Sequence, residues 1–201
     1  MKVEDFVDPY LGQTWQSLGA RVLSSGKRIS VTLGYPAQGM QTQLTQQLSA
    51  FLGVDDIELD IGFSATPGRG FGQVKNVVLV SSGKGGVGKS TTAVNLALAL
   101  DAEGAKVGLL DADIYGPSQG MMLGVAEGRR PDIKDGKFFD PIRAHGIKAM
   151  SMSFMITDKT PMVWRGPMAS GALQQILGQT LWGDLDYLIV DMPPGTGDIQ
   201  L

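Results

Sequence analysis

The stretch that most restricts what this chain can fold into is SSGKGGVGKSTT, Ser81 to Thr92. Within it, Gly83-Lys84-Gly85-Gly86-Val87-Gly88-Lys89-Ser90 fits the phosphate-loop pattern G-x-x-x-x-G-K-[ST]. Glycines at this spacing let the backbone curl so that successive N–H groups point inward at phosphate oxygens, and a helix following the loop adds its positive end. The flanks suit that geometry. NVVLVS is a continuous apolar run, which predicts a strand buried on both faces of a parallel sheet, and STTAVNLALALDAEG predicts a helix. A chance match in a glycine-rich chain would lack this strand–loop–helix setting. Gly83, Lys84, Gly85, Gly86, Val87, Gly88, Lys89, Ser90 and Thr91 are therefore expected to surround the phosphates of ATP. Lys89 is expected on the β and γ phosphates, with the Ser90 hydroxyl as a ligand of Mg²⁺.

Two further apolar runs end in carboxylates: KVGLLDAD, closing with Asp111 and Asp113, and LDYLIVD, closing with Asp191. Strand, helix, strand with ligand-type residues at the carboxyl ends of the strands predicts doubly wound α/β architecture. Asp191 stands where a phosphate loop needs its Mg²⁺ carboxylate, although a carboxylate capping a turn would occupy the same place. The MPPGTGD segment after it is stiff and then flexible, as a loop that reorganises around a γ-phosphate would be. Of Asp111 and Asp113, one could polarise the attacking water while the other braces it or the metal shell. Asp113 is assigned to the water. Lys84 lies on the far side of the loop from Lys89. Spacing leaves open whether it is a solvated loop lysine or a cation that reaches a neighbouring subunit's phosphates as an arginine finger does.

Residues 1–63 read differently, as a small α-β-β-α-β unit. Asp8-Pro9 predicts a helix start, with the helix ending near Gly19. ARVLSS and RISVTL around Gly26-Lys27 predict a hairpin, Leu44, Leu48, Phe51 and Leu52 a helix closing at Gly53, and the alternation in DIELDIGF a half-buried strand. Residues 64–73, SATPGRGFGQ, read as a linker, leaving 74–201 for the P-loop domain. Net charge is −3 with the basic residues scattered, so nucleic acid is not expected as a partner. The 201 residues contain no cysteine, which excludes disulfides and thiolate metal sites within them. Without a leader-like apolar segment or a run near 20 apolar residues, no membrane association and a cytoplasmic location are expected. The Met-rich AMSMSFMI is expected to pack in the core, His145 in RAHGIK to sit in a turn, and Arg165 to be a switch or phosphate contact or else a structural ion pair.

The phosphate loop, KGGVGKST, resembles the deviant Walker A motif of the MinD/ParA/nitrogenase-iron-protein class, whose early lysine acts across a dimer sandwiched around two nucleotides. That resemblance implies a catalytic role in trans for Lys84 and the hydrolytic role for Asp113. DADIYGPS (Asp111–Ser118), VWRGPM (Val163–Met168) and DMPPGTGD (Asp191–Asp198) are similar to the Mrp/ApbC branch, ATP-dependent iron–sulfur cluster carriers. DPYLGQTWQSLGA and VTLGYPAQG look like the small assembly domain that many bacterial members carry ahead of the ATPase, expected here to dock or regulate. The resemblance covers essentially the whole chain. It implies a homodimer, with iron–sulfur apoproteins and assembly factors as partners. One departure stands out: the family binds its cluster through a Cys-x-x-Cys pair downstream of DMPPGTGD, whereas this sequence ends at Leu201 without those ligands. The expectation is accordingly a fragment of an ATP-hydrolysing cluster carrier. A MinD/ParA-like positioning ATPase, or a non-catalytic remnant with only an interacting N-terminal domain, are the alternatives.

Overall fold

The computed structural model describes residues 2–65, 72–155 and 166–195. The chain divides into two compact units: Met1–Pro67 with Ala102–Ala105, and Gly68–Asp101 with Lys106–Leu201. The linker expected at 64–73 lies mostly outside the described residues.

In the first unit, β1 (Arg21–Ser25) and β2 (Arg28–Leu33) form the expected hairpin, turning at Gly26 with φ 61°. Helix α1 (Gln41–Leu52) follows and stops at Gly53, whose left-handed φ of 65° ends the helix at little strain. Strand β3 (Glu58–Phe63) then pairs with β2 in parallel, giving the order β1-β2-β3. Ile29, Val31 and Leu33 alternate inward on β2 and meet Leu44 and Leu48 of α1, Leu59 and Ile61 of β3, and Trp15 and Phe6.

The helix expected from Pro9 to near Gly19 is not formed. The segment is a series of turns, preceded by a 3₁₀ turn at Val3–Asp5. The unit is thus β-β-α-β with irregular leading turns, not α-β-β-α-β. Asp8 does cap, since its Oδ1 accepts the N–H groups of Tyr10 and Leu11, both at 2.9 Å. The single turn closes with the Gly12 N–H on the Asp8 carbonyl at 2.8 Å, and Gly12 then takes φ 64° and ends it. Asp8 is itself fully buried and its Oδ2 also accepts from Trp15 Nε1 and the Tyr35 hydroxyl. A cap that doubles as the acceptor for two core aromatics ties the chain down after one turn. Burial, with the Asp8 carboxylate alongside, pushes the Tyr35 hydroxyl far above its usual pKa.

The second unit is built on β4 (Val74–Val80), α2 (Lys89–Ala102), β5 (Val107–Asp111), α3 (Gln119–Met122), β6 (Asp132–Lys134), β7 (Phe138–Asp140), β8 (Ile142–Ala144), β9 (Ile147–Ser151), α4 (Gly166–Gln179) and β10 (Leu185–Asp191). Its five-stranded sheet runs β4-β10-β5-β9-β8, parallel except for β8, and β6–β7 form a separate hairpin. Strand β5 is buried at every residue and β10 nearly so, as their apolar runs predict. Strand β4 is not. Leu79 is 60% exposed, so one face is uncovered where the sequence predicts a strand covered on both, and among the described residues β4 pairs only with β10 and forms an edge.

Gly108 on β5 leaves room for its neighbours' side chains: a Cβ there would lie 2.6 Å from Leu185 Cδ1 and 2.9 Å from Leu188 Cδ1. Met150 and Met152 are fully buried in the core with Leu110, Trp182 and Leu188, as expected for the described part of the Met-rich tract. His145 sits with Gly146 in the two-residue turn between β8 and β9, at φ 48° and 90°. The parallel register places Asp191 beside both Val80 and Asp111, and Asp111 beside Ser151. Four strands therefore end in one row.

Candidate nucleotide site

The phosphate-loop residues follow the β4 end of that row. From Gly83 to Thr91, no backbone N–H donates to an acceptor among the described residues; the first to do so is Thr92, to the Gly88 carbonyl at 2.9 Å. Gly83 through Gly88 are exposed, and Gly86 and Gly88 adopt φ of 74° and 88°, a conformation open to glycine at little strain. Space for a Cβ exists at Gly83, Gly85, Gly86 and Gly88, with nothing within 4 Å. The loop is thus an open arc of unpaired donors at the start of α2, where the helix dipole favours an anion.

Lys89 folds back beneath this arc. Its side chain is 7% exposed, and Nζ lies 2.5 Å from Asp191 Oδ1 and 3.6 Å from Asp113 Oδ2. Nζ also sits 3.2 Å from the Ser90 hydroxyl, so the ammonium gathers Ser90, Asp113 and Asp191 around one point. These hydroxyl and carboxylate oxygens are hard donors of the kind that hold Mg²⁺. The carboxylate of Asp113 is fixed in turn by the Gly116 N–H on Oδ1 at 3.1 Å.

Asp111 lies behind the cluster. Its Oδ1 accepts the Asp113 N–H at 3.1 Å, and its Oδ2 accepts the N–H groups of Ser118 at 2.9 Å and Gln119 at 3.0 Å and the Ser151 hydroxyl at 3.2 Å. It therefore clamps both ends of the Ala112–Ser118 loop. Burial raises its pKa to about 6, against the lowering effect of the N–H groups it accepts. Residues after Asp191 return to the loop side of the site: Met192 N–H bonds the Val80 carbonyl and Gly195 N–H the Ser82 carbonyl, both at 2.9 Å.

Of the residues singled out from sequence, Lys89, Ser90, Asp113 and Asp191 are brought together. Lys84 is not in this cluster. It is exposed, and its carbonyl accepts the Ser82 hydroxyl at 3.0 Å. Arg165 and Asp198 lie outside the described residues. One member of the site was not foreseen. Gln119, the first residue of α3, is buried, and its Nε2 donates to Asp191 Oδ2 at 2.8 Å and to the Ser90 carbonyl at 2.9 Å. The only sequence signal is a polar residue directly after Gly-Pro-Ser, and no spacing rule connects it to the phosphate loop.

A mostly parallel sheet whose strand ends carry a glycine arc, a lysine and paired carboxylates defines a P-loop NTPase, and no described helix is long and apolar enough to cross a membrane. Residues 73–201 match the model of the ParA family described as NUBPL iron-transfer P-loop NTPase, and the chain belongs to that family. It is similar to proteins named iron-sulfur cluster carrier protein. One from Pseudomonas fragi is 61% identical over 164 residues, covering 79% of this chain and 57% of the relative. One from Escherichia coli K12 is 67% identical over 132 residues, 66% of this chain and 36% of the relative. One from Deinococcus radiodurans is 45% identical over 209 aligned positions, 96% of this chain and 58% of the relative. The chain thus spans between about a third and three fifths of these relatives. Among solved structures, an Archaeoglobus fulgidus nucleotide-binding protein in complex with ADP superposes with a TM-score of 0.54 at 39% identity, covering 63% of this chain and 48% of that one.

Proposed function

We propose that the chain is the nucleotide-binding part of an ATP-hydrolysing carrier that delivers iron–sulfur clusters to apoproteins, acting in the cytoplasm as a homodimer. The observation that carries the nucleotide reading is the run of backbone N–H groups from Gly83 to Thr91 without an internal acceptor, at the start of a 14-residue helix. ATP phosphates would satisfy them. Lys89 would leave Asp191 and Asp113 for the β and γ phosphates, freeing the carboxylate and the Ser90 hydroxyl for Mg²⁺. The metal, when bound, neutralises charge on the transferring phosphoryl group. Asp113, held by Gly116 and by the Asp111 clamp behind it, would orient the attacking water. Lys84, exposed on the loop, is free to act on the nucleotide of a second copy.

The carrier reading rests on family membership and on the names of the relatives. The cluster is cargo, and the 201 residues offer no thiolate for it, so no transfer step is assigned to them. Residues 1–63 are proposed as the docking or regulatory domain and 74–201 as the ATPase portion, joined by 64–73.

Mixing inactive variants tests the trans arrangement. Lys84→Ala and Asp113→Ala are each expected to bind ATP and to lose turnover. Mixed, they should regain part of it, because one subunit then supplies the lysine and the other the aspartate. A Lys84→Ala chain with unimpaired turnover would remove the lysine from the mechanism. Separately, failure of cluster transfer to an apoprotein by a full-length relative would overturn the carrier assignment while leaving the ATPase intact.

A further inference from the structure

The carboxamide of Gln119 is 1% exposed and has spent both of its hydrogens. Nε2 faces two acceptors, Asp191 Oδ2 at 2.8 Å and the Ser90 carbonyl at 2.9 Å. Two acceptors on one side fix the amide's orientation, because the flipped rotamer would set oxygen against oxygen. Oε1 is then left buried and, among the described residues, without any hydrogen-bond partner. An unsatisfied buried acceptor is unfavourable, so in a native site it calls for an explanation such as a ligand or an ordered water.

The two oxygens of Asp191 are held by different groups. Oδ1 is taken by Lys89 and Oδ2 by Gln119. Only the first partner has another task in the proposed reaction. When Lys89 turns to the phosphates, Gln119 is, among the described residues, the remaining side chain bonded to the Asp191 carboxylate. Gln119 also holds the Ser90 carbonyl, and its own N–H is gripped by Asp111. One residue thus joins the first turn of α2, the end of β10 and the end of β5.

We propose that Gln119 is the positioning residue for the magnesium ion. Its Nε2 keeps the Asp191 carboxylate and the Ser90 turn in register with or without nucleotide, and its unpartnered Oε1 accepts a hydrogen bond from the ion's hydration shell. This rests on the Mg²⁺–ATP reading of the same site.

The test uses the whole chain with Gln119→Met, which keeps the volume and removes both donor and acceptor. Mn²⁺ binding to the ATP-loaded chain is followed by electron paramagnetic resonance, and ATP affinity is measured separately in EDTA. The expected result is Mn²⁺ binding weakened roughly tenfold or more, as for a lost hydrogen bond to a charged group. ATP affinity in EDTA should be unchanged, while thermal stability of the free chain falls, because Asp191 Oδ2 and the Ser90 carbonyl lose their donor. Gln119→Asn, one methylene too short to bridge Ser90 and Asp191, should weaken Mn²⁺ in the same direction and serves if the Met variant does not fold. Unchanged Mn²⁺ affinity in a folded variant overturns the proposal. So does an equal loss of ATP affinity with and without metal, which would mark Gln119 as a general packing residue. Wild-type chain that binds no ATP would instead overturn the nucleotide reading, and this inference with it.

Discussion

At the scale of single residues, the site is a set of opposite charges drawn to one point. Lys89 sits between Asp191 and Asp113, where a buried ammonium and buried carboxylates neutralise one another. Asp111 behaves differently. Burial lifts its pKa to about 6 from an ordinary 3.8. Between about pH 4 and 6 the folded chain therefore holds a proton that the unfolded chain has released. Stability at this residue falls as pH rises through that window and levels off above it, by about 3 kcal/mol in all. Urea unfolding of the nucleotide-free chain from pH 4.5 to 7.5 should show this as a gap between wild type and Asp111→Asn that is larger at the acid end. Parallel curves would contradict it. The sequence allowed Lys89, Ser90, Asp113 and Asp191 to be named because each sits at a fixed offset from a strand end or from the glycine loop. Gln119 was illegible for the opposite reason. Its bonds to Ser90 and Asp191 span 29 and 72 positions of chain, and only the folded sheet brings those positions together.

At the scale of elements, local patterns succeeded where packing agreed with them. The β1–β2 hairpin, α1 with its Gly53 stop, and α2 all lie where turn residues and periodicity put them. The turns after Asp8 show the opposite outcome. The start signal is real, since Asp8 accepts the N–H groups of Tyr10 and Leu11, but Gly12 and the pull of Trp15 and Tyr35 on the same carboxylate end the turn before a helix can propagate. Asp8→Ala should accordingly do more than remove a cap, because it leaves buried Trp15 and Tyr35 donors without an acceptor. A loss of about 2–5 kcal/mol is expected, read from denaturant unfolding of the first unit by tryptophan fluorescence. A loss under about 1 kcal/mol, the usual value of a surface cap, would mean that the carboxylate is not the hub of that core. Strand β4 carries a second lesson. Apolar content marks a strand as fit for a sheet interior, but its neighbours decide whether it is one, and among the described residues β4 has β10 on one side only.

At the scale of the whole molecule, the α/β class and the P-loop NTPase family were readable from the order of strand, glycine loop, helix and carboxylate-ended strands. The mixed character of the sheet was not, because β8 and β9 are short and nothing in their residues fixes β8 as antiparallel. Nor was the β6–β7 hairpin, whose three-residue strands are too brief to show a period. The account depends first on one claim, that the open N–H arc from Gly83 to Thr91 and the buried Lys89 form a site for MgATP. Calorimetric titration of the chain with ATP in the presence of Mg²⁺ tests it most directly, run beside Lys89→Ala with circular dichroism to show that both are folded. Saturable binding of one ATP per chain, displaced by ADP and lost in Lys89→Ala, is the expected result. A folded wild-type chain that takes up no ATP, or a Lys89→Ala chain that binds it equally well, would contradict the account.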